Sequence, residues 1–159
     1  MKARLHLSNG FSLVEITLAL GVAAISMIAI FGLLATGIQT NRVSTQQAGS
    51  SDILAAVAAD LRATPKTIPP GAATTSTQFG VGIPINGSSA TSTLYFDTVG
   101  RSSTSLSDSS TYRITVTFLS NGGGRTATFA NLKLTWPAAA DPASAITPRA
   151  ETFLALDRN

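Results

Sequence analysis

Gly10-Phe11-Ser12-Leu13-Val14-Glu15 is the stretch whose residue types and spacing could do chemistry. Glu15 places a carboxylate at the start of an apolar run, Ile16 to Ile38, that holds no charged residue. An ionisable group in a lipid-length segment is costly and marks a functional site, usually with a partner charge at the same depth. Cutting the chain supplies that partner. Hydrolysis of the Gly10–Phe11 bond frees an α-amino group on Phe11, four residues from Glu15. In a parallel array of such helices one subunit's amine can meet a neighbour's carboxylate, and neutralising the pair sets the register between subunits.

The element that must position these groups is a helix. The run from Ile16 to Ile38 is 23 residues long, and at about 1.5 Å per residue it reaches roughly 35 Å, enough to cross a hydrocarbon core of about 30 Å. Eleven of its large residues, Ile16, Leu18, Leu20, Val22, Ile25, Ile28, Ile30, Phe31, Leu33, Leu34 and Ile38, favour insertion by roughly 3 to 7 kcal/mol. One Glu near the helix end costs at most about 3 kcal/mol, so insertion survives it. A secretory signal peptide has an apolar core of only about 7 to 15 residues, with its cleavage site after it. A plain signal anchor fits the length but leaves Glu15 unexplained.

At these residues the chain resembles type IV pilins and the pseudopilins of type II secretion. Their processing motif is a short basic leader, Gly, Phe and a Glu five residues into the mature chain, here Lys2 and Arg4, Gly10, Phe11 and Glu15. The resemblance implies that a prepilin peptidase cuts after Gly10 and methylates the new Phe11 amine, and that Glu15 supports assembly. It implies partners of three kinds: the peptidase, inner-membrane lipid, and other pilin-like subunits packed through parallel helices. It further implies a bacterial inner-membrane protein, incorporated in a cell-envelope filament. Many members carry Pro where this chain has Gly32. Gly21, Gly32 and Gly37 either loosen the helix, since Gly is about 1 kcal/mol worse than Ala there, or permit close packing in the membrane.

The basic charge of the chain comes partly from its leader. The formal charge is +3, from 11 bases and 8 acids. Without the leader's Lys2 and Arg4 the balance is 9 against 8. No Lys/Arg cluster interleaved with aromatics announces nucleic-acid binding. Lys2 and Arg4 hold the leader on the cytoplasmic side and send the C-terminal part across, to the periplasm of a single-pass protein. There is no Cys, so no disulfide staples the exported part, unlike many pilins.

Four segments follow: a leader over 1–10, the transmembrane half of a long helix over 11–38, its amphipathic half over 39–64, and a β-rich ectodomain over 65–159. No Pro occurs before Pro65, so a helix starting at Phe11 can pass fifty residues. In its second half Val43, Ile53, Leu54, Val57 and Leu61 fall near one face, while Asp52, Asp60 and Arg62 point elsewhere. Gln46–Ser51, with Gly49, is the weak point. Thr64-Pro65 and Pro69-Pro70-Gly71 stop the helix. Gln78–Ile85 carries scattered apolar residues but is not assigned to a strand. Leu94–Val99 reads as a short strand, and Ser102–Ser110 as a mobile surface loop. The clearest strand is Tyr112–Phe118, where Tyr112, Ile114, Val116 and Phe118 alternate with polar residues. Asn121-Gly122-Gly123-Gly124 turns into the next strand, in which Ala127 and Phe129 share one phase and Leu132, Leu134 and Trp136 the other. A bulge near Ala130-Asn131 reconciles them, or two short strands do. The Ala/Pro stretch through Pro148 is a loop, and Glu151–Leu156 a last strand. The fold class is α+β, a long N-terminal helix packed on a small antiparallel sheet. That order is similar to pilin folds, and Thr135-Trp136-Pro137 with Glu151-Thr152-Phe153 resembles the Verru_Chthon cassette pilin-like proteins.

Catalytic machinery is missing. The one His, His6, lies in the leader, and without Cys the mature chain lacks Ser/His, Cys/His and His-metal constellations. No catalytic, cofactor-binding or metal-ligating residue is assigned. Asp97 and Asp108 flank a loop and are the pair that could form a pseudopilin-like calcium site, against the commoner outcome of solvated loop acids. Asn86-Gly87-Ser88 matches the glycosylation pattern but reads as a turn. Tyr112, Phe118, Phe129 and Trp136 are expected in the core. The function expected is a structural subunit, not an enzyme, assembled into a type IV pilus or a type II secretion pseudopilus. The alternatives are a minor pilin binding DNA or a surface, which clustered basic residues on the sheet would favour, and a membrane-anchored periplasmic binding module.

Overall fold

Helix α1 runs from Leu13 to Ala63, 51 residues, in the computed structural model of the chain, which describes residues 10–120 and 127–158. The basic leader, with Lys2, Arg4 and His6, and the Asn121–Gly124 turn lie outside the described residues. The length arises from sequence: nothing between Ser12 and Thr64 breaks a helix, and the residue before Pro65 is driven out of helical geometry. The start lies two residues beyond the expected Phe11, because Ser12 serves as the cap. Gly49 does not interrupt the helix. A Cβ there would lie 2.7 Å from the Tyr112 hydroxyl oxygen, and that hydroxyl donates to the Gln46 carbonyl at 3.2 Å. Gly49 clears the space for a tyrosine to dock on the helix backbone.

The chain divides into two compact units after Thr45. In the second, residues 46–158, the buried stripe of α1 (Ile53, Leu54, Val57, Ala58, Leu61) shares one hydrophobic cluster with the sheet. Val43, expected on that stripe, is 53% exposed. Two two-residue strands, β1 (Thr74–Thr75) and β2 (Gly82–Ile83), pair with each other. Thus part of Gln78–Ile85 is a strand after all, with Val81 and Ile83 buried. The main sheet has β3 (Ala90–Phe96), β4 (Ser102–Ser103), β5 (Tyr112–Leu119), β6 (Thr128–Thr135) and β7 (Arg149–Leu156). Their order is β4-β3-β5-β6-β7, all antiparallel. β3 begins four residues earlier than expected and ends before the Asp97 turn. Ser102–Ser103 belongs to the sheet and not to the Ser-rich loop.

β5 alternates as its sequence dictates, with Tyr112, Ile114, Val116 and Phe118 buried. β6 corrects the expectation. Its pairing with β5 is unbroken from Arg113↔Thr135 to Leu119↔Phe129, and no bulge or split is present. Thr128, Ala130, Leu132 and Leu134 face the core, while Phe129 is turned outward at 46% exposure. Small Ala130 was the residue in phase with the leucines. Trp136 is half-buried and meets Tyr112 edge to face, ring centroids 6.4 Å apart. Arg158 closes the end of the fold: its guanidinium donates to the Pro84 and Ala72 carbonyls, and its own carbonyl accepts from Gly71 N–H at 3.1 Å. Burial pushes its pKa down from the ordinary value.

Candidate functional site

Ser12 organises the N-terminal stretch. Its Oγ accepts from the Glu15 backbone N–H at 3.2 Å, and its carbonyl accepts from Ile16 N–H at 3.2 Å. This is an N-cap, and Ser-x-x-Glu is the spacing of a capping box. The Ser12-x-x-Glu15 spacing is present in the sequence, and Ser12 joins Gly10, Phe11 and Glu15 as a residue of this stretch with a defined role. The cap leaves Gly10 and Phe11 outside the helix, and among the described residues no hydrogen bond holds the peptide bond between them. Phe11 is 78% exposed, and both partners of the expected cut are accessible.

Glu15 lies in the first turn and is exposed. The positive end of the helix dipole favours a carboxylate there by about 0.3–1 kcal/mol, so part of the reason for a Glu at this place is intrahelical. No cation pairs with it among the described residues. A shallow, mostly apolar groove is lined by Phe11, Glu15, Ile16, Ala19, Leu20 and Ala23. Ala19 and Ala23 follow Glu15 at four-residue steps, so small side chains lie along the carboxylate's own face of the helix.

Behind Glu15 the helix is apolar and uncovered, and it is long and apolar enough to cross a membrane near the N-terminus. Exposure of its large residues from Ile16 to Ile38 runs from 50% at Ile16 to 73% at Leu33. Its hydroxyls are satisfied internally: Thr17 donates to the Val14 carbonyl at 2.9 Å, Ser26 to Val22 at 2.8 Å and Thr40 to Thr36 at 3.0 Å. Such bonds remove most of the cost of carrying hydroxyls into lipid. Gly21, Gly32 and Gly37 have nothing within 4 Å of a built Cβ, so no contact made by the described residues requires a glycine at these places.

The ectodomain acids take other roles. Asp60, expected to point away from the core, is 6% exposed and accepts from the backbone N–H groups of Gln78 at 2.8 Å and Phe79 at 3.0 Å. Burial raises its pKa, but hydrogen bonds from the Ser76 side chain and from the backbone of Gln78, Phe79 and Thr77 outweigh burial and hold it below the usual carboxylate range. Asp97 accepts from the backbone of Val99 and Arg101 within its own turn, and the Arg101 bond leads in lowering its pKa. Asp97 shares a cavity of about 170 Å³ with Asp52. Asp108 is not among that cavity's lining residues, and no group of three metal-binding side chains occurs among the described residues. Asn86-Gly87-Ser88 is a turn, closed by Ser88 N–H to the Ile85 carbonyl.

Basic residues on the sheet's outer face do not form a free patch. Arg113 lies over the Tyr95 ring, 5.8 Å from its centroid, and Lys133 donates to the Pro142 carbonyl at 2.7 Å. Arg149 is the exposed one of the three. No protein-family model, curated protein or solved structure matches this chain.

Proposed function

We propose that this chain is a prepilin-like structural subunit, cut between Gly10 and Phe11 by a prepilin peptidase and methylated at the new amine. It is then assembled helix to helix into a type IV pilus or type II secretion pseudopilus. The observation that carries the reading is the pairing of an accessible Gly10–Phe11 bond with an exposed carboxylate, Glu15, at the head of an uncovered apolar helix. Before cutting, the helix anchors the chain in the inner membrane, with the β domain in the periplasm. After cutting, the Phe11 amine of one subunit meets Glu15 of another, and the apolar helices exchange lipid for one another. Small residues on the Glu15 face allow close approach.

The test is the N-terminal mass of the protein recovered from membranes of cells with and without an active prepilin peptidase. A chain beginning at methylated Phe11, only when the enzyme is present, supports the reading. Glu15→Gln should then insert normally and fail to assemble. An N-terminus at Met1 in both cell types reduces the segment to a signal anchor on a periplasmic binding module, for which Glu15 is replaceable.

A further inference from the structure

A free sheet edge and the trough beside it carry an inference that does not depend on how the N-terminus is processed. The unpaired N–H and C=O groups of an edge strand are a template for another strand, and natural sheets blunt such edges by shortness, charge, Pro or bulges. β4, at one end of the sheet, has only two residues. β7, at the other, has eight, paired with β6 from Thr128↔Leu156 to Thr135↔Arg149, and no described strand lies on its far side. Its stretch Thr152–Leu156 holds no charge and no Pro, and Phe153 there is 67% exposed.

Beside that edge runs a trough made of two adjoining cavities. In the first, of about 320 Å³, Leu54, Ala55 and Ala58 of α1 lie across from Thr152 and Leu154 of β7. The second, of about 230 Å³, is lined among others by Arg62, Lys66, Asp157 and Arg158. Arg62 lines both. The second cavity therefore holds three cations against one carboxylate, and that carboxylate is already paired with Lys66 at 2.9 Å. Arg62 is exposed and forms no ion pair among the described residues.

We infer that β7 and this trough bind an extended acidic segment of another polypeptide by strand addition. The segment's backbone completes the free hydrogen-bonding side of β7, while alternate side chains enter the trough. Apolar ones fit over Ala55 and Ala58, where small residues leave room, and a carboxylate meets Arg62. Charge argues against the same edge of a second copy as the occupant, since two troughs of equal positive balance repel.

The test uses the full chain in detergent and a peptide carrying a fluorophore on its N-terminal amine, fluorophore-Gly-Gly-Thr-Val-Thr-Val-Thr-Asp-Thr-Asp-amide, with the same eight Thr, Val and Asp residues in reverse order as a second probe. Anisotropy should show saturable binding of at least one of them. Binding should weaken about tenfold or more when lysines replace the aspartates, when alternate peptide nitrogens are methylated, or in Arg62→Glu. Amide exchange across Thr152–Leu156 should slow in the complex. The inference is overturned if aspartate and lysine peptides bind alike, if N-methylation is without effect, or if neither probe binds up to about 1 mM. Self-association of the chain that Arg62→Glu abolishes, without peptide binding, would assign the edge to a second copy and also overturn it. None of these readouts involves Gly10, Phe11 or Glu15, so this inference and the assembly reading fail separately.

Discussion

Replacing Asp60 by Ala should destabilise the β domain by about 2–3 kcal/mol. The side chain holds two backbone N–H groups, Gln78 at 2.8 Å and Phe79 at 3.0 Å, and a hydrogen bond to a charged group is worth about 1.5–3 kcal/mol. Taking the lower figure for each gives about 3 kcal/mol. Ala's better helix propensity returns up to about 0.7 kcal/mol. Asp60→Asn, which keeps one acceptor oxygen but loses the charge, should cost about half as much. Trp136 is the one tryptophan and packs against Tyr112 in the same unit, so its fluorescence in a urea titration of the detergent-solubilised chain reports the loss. The sign with pH is fixed. Asp60's pKa is lowered on folding from 3.8, so its contribution is present above that value and fades as pH falls through the folded-state pKa. The gap between wild type and Asp60→Ala should therefore close in acid. A loss under about 0.5 kcal/mol at neutral pH, within the range of an ordinary surface substitution, or a gap that widens in acid, would refute the role given to this carboxylate.

Gly49→Ala should be destabilising even though Ala is about 1 kcal/mol better than Gly in a helix, because the new Cβ meets the Tyr112 hydroxyl at 2.7 Å. In a Tyr112→Phe background the same change should turn neutral or stabilising, as a double-mutant cycle followed by thermal melting will show. The phase of β6 can be read from two substitutions. Phe129→Thr, at an outward position, should cost less than about 1 kcal/mol, whereas Leu132→Ala should cost about 2–5 kcal/mol. Equal losses in urea titrations would restore the bulge. Tyr112's pKa is raised by burial, so its contribution is full below the unfolded value of 10.0 and is lost as pH rises through the folded one. Tyr112→Phe should flatten the alkaline limb of the stability profile.

Where the sequence was legible, one strong local signal dominated. The apolar run behind Glu15 and the absence of Pro before Pro65 forecast one long helix, and the period-two pattern of Tyr112–Phe118 forecast β5. Legibility failed where a residue's meaning depends on what lies across from it. Asp60 looks like a solvent-facing charge until the Ser76–Phe79 loop wraps over it. Gly49 looks like a flaw until Tyr112 arrives from 63 positions away. Phe129 outweighed Ala130 by size alone, yet the neighbouring strand placed the alanine inside. At the candidate site, Glu15 was visible because a charge in an apolar run has few explanations. Ser12 was not, because a serine is common and its capping role shows only in the turn it closes.

The Arg158 clasp has a consequence for the conditions under which this fold survives. A closure made by a guanidinium on two carbonyls, in a sequence with no cysteine, is indifferent to redox potential. Dithiothreitol and oxidants that act on thiols should leave the closure intact, and no disulfide-forming enzyme is needed to make it. Its weakness is of another kind: dissolved guanidinium ions offer the same carbonyls the same chemical group, and they compete with Arg158 directly.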